Sequence, residues 1–188
     1  MHTPLARPGM TVHRCQPEVE FAPAAIGTRV RFMTSFSLVV TVVISAVIVA
    51  MMSLERRPPP WPAWLTVLVA PAVVGLVWHG SRVRGYRLTD DMLLVRRPFR
   101  DVRVPWAQLQ EVHRDPGALG GARKVVSNDG LGAIAGRFTS KRLGRFRVYV
   151  TDPEYAVVLR WPAGCLVVSP AQPDRFVETA RRHLVSGV

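Results

Sequence analysis

Lysine is almost missing from this chain. Of 25 basic residues only Lys124 and Lys141 are not arginine, and against 13 acids they give a formal net charge of +12 over 188 residues. Such a skew, with abundant Ala, Val and Pro, is what a GC-rich coding bias produces. The charge by itself therefore leaves nucleic acid, anionic lipid and the inner side of a membrane protein all open.

Cysteine is scarce as well. Cys15 lies near the N-terminus and Cys165 in an apolar run that reads as a buried strand. With no CxxC and no Cys/His cluster, the sequence argues against a disulfide framework and a structural zinc site, and it calls for no cofactor. The five histidines are scattered, no two at metal-ligand spacing and none beside a recognisable nucleophile. Ser140, Thr151 and Ser169 have neither an elbow nor a base to activate them. Asp90-Asp91 falls at a hairpin turn, where acids bond local backbone. Gly130-Leu-Gly-Ala-Ile-Ala-Gly136 lacks the Gly-Lys-Ser/Thr of a phosphate loop and follows a Ser-Asn-Asp turn. It reads as a flexible loop between strands. These absences point away from an enzyme.

Charge is also missing where the chain is most apolar. Phe32 to Leu54 is a run of 23 uncharged residues rich in Val and Ile, and about 20 helical residues span a bilayer core. Glu55, Arg56, Arg57 and Pro58 to Pro60 break it, and a second uncharged run reaches Trp78, with Trp61 and Trp64 at its other end. Tryptophans favour the membrane interface, so two spans are expected, at about 32–54 and 61–79, the second kinked at Pro71. Arg29 and Arg31 precede the pair and Arg82, Arg84 and Arg87 follow it, which places both termini in the cytoplasm of a multi-pass inner-membrane protein. Spans without a charged residue tether rather than transport. Residues 1–31 read as a flexible tail, with Met10 an alternative start, 32–81 as the transmembrane hairpin, and 82–188 as one cytoplasmic domain.

After Ser81 the pattern shortens to strands. Tyr86 and Leu88 lead into the Asp90-Asp91 turn, Met92 to Arg96 returns, and Val102, Val104 and Trp106 alternate with Arg103 and Pro105. Phe146, Val148 and Val150 alternate with Arg145, Arg147 and Tyr149, which points Phe146 inward. Val157 to Trp161 and Cys165 to Val168 form a hairpin about Pro162-Ala163-Gly164. A helix from Pro173 to Leu184 closes the chain, with Asp174 at its positive end and Phe176, Ala180, His183 and Leu184 as its apolar stripe. The class is α+β: a two-helix transmembrane hairpin, then an antiparallel sheet sandwich or partial barrel capped by a C-terminal helix.

Tyr86-Arg-Leu-Thr-Asp-Asp, Val104-Pro-Trp with Leu109 and Val112 following, and Gly144-Arg-Phe-Arg-Val-Tyr-Val-Thr-Asp carry a resemblance, completed by Val167-Val-Ser-Pro and Pro173-Asp-Arg-Phe. The stretch from Tyr86 to Leu184 resembles a bacterial pleckstrin-homology (PH) domain of the kind found behind membrane spans. The resemblance implies a fold and a non-catalytic interaction role, and it supplies no ligand.

Between Arg123 and Arg147 stand seven basic residues and one acid, Asp129. Arg137, Lys141, Arg142, Arg145 and Arg147 are its dense part and the candidate contact residues. Two readings stay open. The leading one is a protein partner held at the inner membrane face through a sheet edge or the groove beside the last helix. The other is anionic-lipid sensing by a basic loop over 137–147. Nucleic acid is not expected, because the patch has few aromatic stacking partners.

Overall fold

A computed structural model describes residues 18–54, 61–107, 109–129, 131–162 and 164–185. The alternative start at Met10, Cys15 and the turn at Glu55 to Pro60 lie outside the described residues.

The chain enters the fold earlier than its sequence announces. Val19–Phe21 (β1) is a strand, and it pairs antiparallel with Gly85–Leu88 (β2), Phe21 opposite Tyr86. The segment after it is also tied down. The Ala24 amide donates to the Ser169 carbonyl at 2.8 Å, and Thr151 Oγ1 donates to the Ala24 carbonyl at 2.8 Å. The tail expected over residues 1–31 is thus corrected for its last part. A three-residue strand with one outward acid has too little periodicity to be legible, but Phe21 is buried against the Phe176 ring, 5.2 Å between centroids.

Two helices follow. Thr28–Leu54 (α1, 27 residues) is about 40 Å long, enough for a hydrocarbon core. Its most apolar 18-residue window has a mean hydropathy of 2.6 and is 0% buried. By length and composition α1 is thus apolar enough to cross a membrane. Trp61–Ser81 (α2) packs beside it with Pro71 inside. The base of the pair is fixed at Gly132: its amide donates to Thr34 Oγ1 of α1 at 3.2 Å, and a Cβ there would stand 3.1 Å from the Trp78 carbonyl of α2. The first part of α1 and the last part of α2 therefore meet at one point, and the helices run antiparallel.

The domain is two sheets. The smaller has the order β1-β2-β3-β4, with Met92–Arg96 (β3) and Val102–Pro105 (β4). The larger contains Glu111–Arg114 (β5), Arg123–Asp129 (β6), Ile134–Ser140 (β7), Gly144–Val150 (β8), Val157–Trp161 (β9) and Gly164–Val168 (β10), in the order β5-β9-β10-β8-β7-β6. The hairpins read from sequence appear at β2-β3 and β9-β10. The sheet is not wholly antiparallel, since β10 runs parallel to β8. A 3-10 turn at Pro153–Tyr155 carries the chain past that position, so the β9-β10 hairpin folds back into it. The glycine-rich stretch is also more ordered than a flexible loop. Ala133, Ile134 and Ala135 are buried, and Gly136 lies within β7. Its φ of +146° and the Val126 carbonyl, which would stand 2.4 Å from a Cβ, leave room for glycine alone beside the irregularity between Lys124 and Val126.

Two cores result. One lies between the sheets and under Pro173–Val185 (α3), where Phe176, Val177 and Ala180 cover Tyr86, Leu93, Leu159 and Leu166. His183 stacks on Trp106 with centroids 4.7 Å apart. Burial holds its imidazole below the ordinary value of 6.5, against an opposing pull from Asp90. The other core packs Phe138, Phe146, Val148 and Val158 on the far face of the large sheet, with Val30 of α1 beneath it. Tyr86 joins the sheets. Its hydroxyl donates to the Tyr149 carbonyl at 2.9 Å and accepts from the Ser169 amide at 3.0 Å, and burial pushes its pKa up to about 12, partly offset by the Ser169 hydrogen bond.

Tyr86→Phe should cost about 1–3 kcal/mol, because a buried amide and carbonyl lose their partner. Thermal unfolding of the full chain in detergent measures it. A phenol that stays neutral when folded contributes stability that is intact below pH 10 and lost as pH rises toward about 12, so the variant should also flatten that alkaline decline. Gly136→Ala should cost roughly 1–3 kcal/mol from the backbone conformation, and more from the clash with β6. An unchanged melting temperature would sink that prediction.

Candidate functional site

Alternation along β7 and β8 decides which basic residues share a face. Phe138, Phe146 and Val148 turn into the far core, so Arg137, Arg145, Arg147 and Tyr149 turn the other way. Arg137 and Arg147 are register partners, directly opposite across the two strands. Like charges in that position repel. Their row continues to Val126 of β6 on one side and to Leu166 of β10 on the other. Leu166 is under the small sheet, whereas Arg147 and Arg137 are exposed, so the sheets part between them.

That parting is a cleft of about 950 Å³. One wall carries Arg97, Arg100 and Arg103, from the end of β3 through β4, and the other carries Arg137, Arg147 and Tyr149. Asp101 is the one acid on its lining, and its carboxylate accepts from the Arg97 backbone amide at 3.1 Å to close the β3-β4 turn. Among the described residues no carboxylate forms an ion pair with any of the five arginines, although Arg87, Arg96, Arg114, Arg142, Arg160 and Arg182 all have such partners. Arg97 is the most constrained. Its guanidinium lies 5.2 Å from the centroid of the Tyr149 ring and donates through Nη2 to the Gly80 carbonyl at 2.9 Å, and its Nε is buried with no partner.

The sequence-derived set is thereby divided. Arg137 and Arg147 line the cleft, whereas Lys141, Arg142 and Arg145 belong to the turn and outer end of the β7-β8 hairpin. Arg142 is paired with Asp115. The basic loop over 137–147 is in fact this hairpin, and its turn stands at the end away from the helices. Val150, at the other end of β8, packs with Val30 of α1, and the Thr151 carbonyl accepts from the Gly27 amide at 3.2 Å. Seven strand residues separate the two ends by about 20 Å. Sequence reasoning missed Arg97, Arg100 and Arg103 because they sit far from the dense segment. Their only local signal was a run of four arginines between Arg96 and Arg103 broken by Pro98 and Phe99.

The groove beside α3 is smaller, about 350 Å³, and is lined by Arg114, Asp174, Val177, Glu178 and Arg181. Its charges are mixed: Arg114 reaches Asp174 at 3.4 Å, and Arg181 Nε donates to the Val112 carbonyl at 3.3 Å, occupying part of the β5 edge. β6 is the outermost strand at the other end of the large sheet, and Val125 and Val126 on it are exposed. Among the described residues no three His, Cys, Asp or Glu side chains gather as a metal site would require. The buried polar side chains Thr151 and Ser169 bond each other and nearby backbone.

No curated protein and no solved structure matches the chain closely enough to show a relationship. A family model described as a bacterial PH domain matches residues 84–184, from the approach to β2 to the last turn of α3. Covering more than half of the chain, and coinciding with the two sheets and their closing helix, that match makes this chain a member of the bacterial PH domain family.

Proposed function

We propose that the protein is a non-catalytic interaction module, held at the cytoplasmic face of the inner membrane by α1 and α2 crossing as a hairpin, and that its ligand is a protein. The observation that carries the anchoring is the pairing of β1 with β2. The segment before α1 and the segment after α2 are neighbours in one sheet, so the chain between them crosses a membrane twice or not at all. Given that α1 is apolar, uncovered and long enough to cross, two crossings is the reading that accounts for it. Arg29 and Arg31 before the pair, and Arg82, Arg84 and Arg87 after it, favour the cytoplasm for the domain.

The partner surface we favour is the β6 edge. It is seven residues long, the outermost strand of the large sheet, and carries the exposed Val125 and Val126, a position at which another chain can add a strand. The hairpin turn with Lys141, Arg142 and Arg145 stands about 20 Å from the helix base, more than twice the screening length of about 8 Å at physiological salt. We favour an acidic protein surface over the leaflet as its contact.

A reporter active only in the cytoplasm should give signal when fused after Val188. Signal from a reporter active only outside would overturn the orientation. A photo-crosslinking residue at Val126, in cells, should capture a protein partner, and the same probe at Tyr155, in the 3-10 turn between β8 and β9, should not. If Val126 yields only lipid and self-adducts, the strand-addition reading fails.

A further inference from the structure

The cleft and the β6 edge are one continuous surface. Val126 of β6, 72% exposed, lines the cleft, and its row runs inward to Arg137 of β7 and Arg147 of β8. Side chains alternate along a strand, so a strand added outside β6 would turn every second side chain toward this cleft. Those side chains would stand two strand spacings from Arg137, about 10 Å, a gap that an arginine and a carboxylate side chain can close between them. Arg147 lies directly behind Arg137, and repulsion within the pair favours Arg137 conformations that lean outward. Arg100 and Arg103 face the same row from the other wall. Among the described residues none of these arginines has a carboxylate partner, and Asp101, the one acid of the lining, accepts from the Arg97 amide.

We infer that the segment added at β6 is acidic, with carboxylates at alternate positions turned into the cleft toward Arg137 and the arginines around it. This requirement rests on the strand-addition reading proposed above and states what the partner's segment carries. Carboxylates there would offset the Arg137–Arg147 repulsion, which the protein itself leaves standing. Other occupants suit the place less well. The chain's own first 17 residues hold Arg7 and Arg14 and no acid. A leaflet headgroup would have to leave the bilayer, because Arg137 and Arg147 each lie three residues along their strands from the helix base, about 10 Å. A second copy fails on direction. β6 runs from Arg123, opposite Thr139, to Asp129, opposite Ile134 near that base, so two antiparallel β6 strands would set their helix pairs at opposite ends.

The test uses three blocked, fluorescently labelled octapeptides: Glu alternating with Thr, Gln alternating with Thr, and four Glu followed by four Thr. Anisotropy reads their binding to the full chain in nanodiscs of neutral phosphatidylcholine. The alternating Glu probe should bind about ten-fold more tightly than its Gln counterpart and several-fold more tightly than the block. Arg137→Gln/Arg147→Gln should weaken it about ten-fold while the melting temperature stays the same or rises. Arg175→Gln/Arg182→Gln on α3 removes the same charge and should change binding less than two-fold. The inference is overturned if the Glu and Gln probes bind alike or not at all, if the block binds as well as the alternating probe, or if the α3 variant loses as much as the cleft variant. It is overturned equally if native mass spectrometry from nanodiscs containing phosphatidylglycerol finds that lipid kept by wild type and lost by the cleft variant, which would give the cleft to a headgroup. The Val126 crosslink separates the two failures. Capture of a protein through a segment without acids refutes the acidic requirement and leaves strand addition standing, whereas no capture refutes both.

Discussion

One strand pairing governs the arrangement of everything else. β1 is laid against β2 although α1 and α2 come between them in sequence, and the hydrogen bonds from Ala24 and Gly27 to the ends of the large sheet extend that attachment up to the first turn of α1. The helix pair is consequently an insertion into the domain rather than a leader in front of it. Two fixed attachment points, one at each helix, leave the domain little freedom to swing beneath the helices. A single linker would have permitted a wide range of orientations.

The Tyr86 hydroxyl sets the spacing of the two sheets near that attachment. It sits between the Tyr149 carbonyl and the Ser169 amide, with Phe176 packed edge-on 6.1 Å away, and it brings the small sheet down onto β8 and β10. Close contact there and divergence beyond it are two sides of one geometry. Toward β9 and β10 the space between the sheets is filled by Leu159, Leu166, Val168 and α3, whereas toward β6 and β7 it is lined by Arg137, Arg147 and Tyr149. Arginines occupy that margin because their stems lie along apolar surface while their heads reach solvent. The cleft is thus a product of where the core ends.

Much of this was legible in the residues. Long uncharged runs identify α1 and α2, alternation identifies β2, β4 and β8, the Asp90-Asp91 turn identifies β3 as the returning strand, and the stripe of Phe176 and Ala180 identifies α3. β7 escaped because its glycines read as a loop and β1 because it is three residues long, while β5 and β6 escaped for want of a periodic apolar pattern. β5 has only Val112 turned to the core, and β6 ends in Ser127-Asn128-Asp129, which reads locally as a turn. Both are held by neighbours rather than by burial of their own side chains. The candidate site was half legible for the same reason. Arg137 and Arg147 lie in a dense basic segment, but Arg97, Arg100 and Arg103 join them only through the folding of one sheet over another. Sequence distance gives no measure of that proximity.

The insertion of the helices between β1 and β2 also imposes an order of events during synthesis. Val19–Phe21 leaves the ribosome well before its partner exists, and both helices must be made and turned back before Gly85–Leu88 appears. Burial of Phe21 against Phe176 waits longer still, until almost the last residue of the chain. Such a sheet cannot close progressively from its N-terminus, and pairings of this sequence separation form late. Closure of the domain therefore depends on the successful return of the helix pair, so a chain whose second helix strays is left with an incomplete sheet edge, a state that proteolysis can recognise.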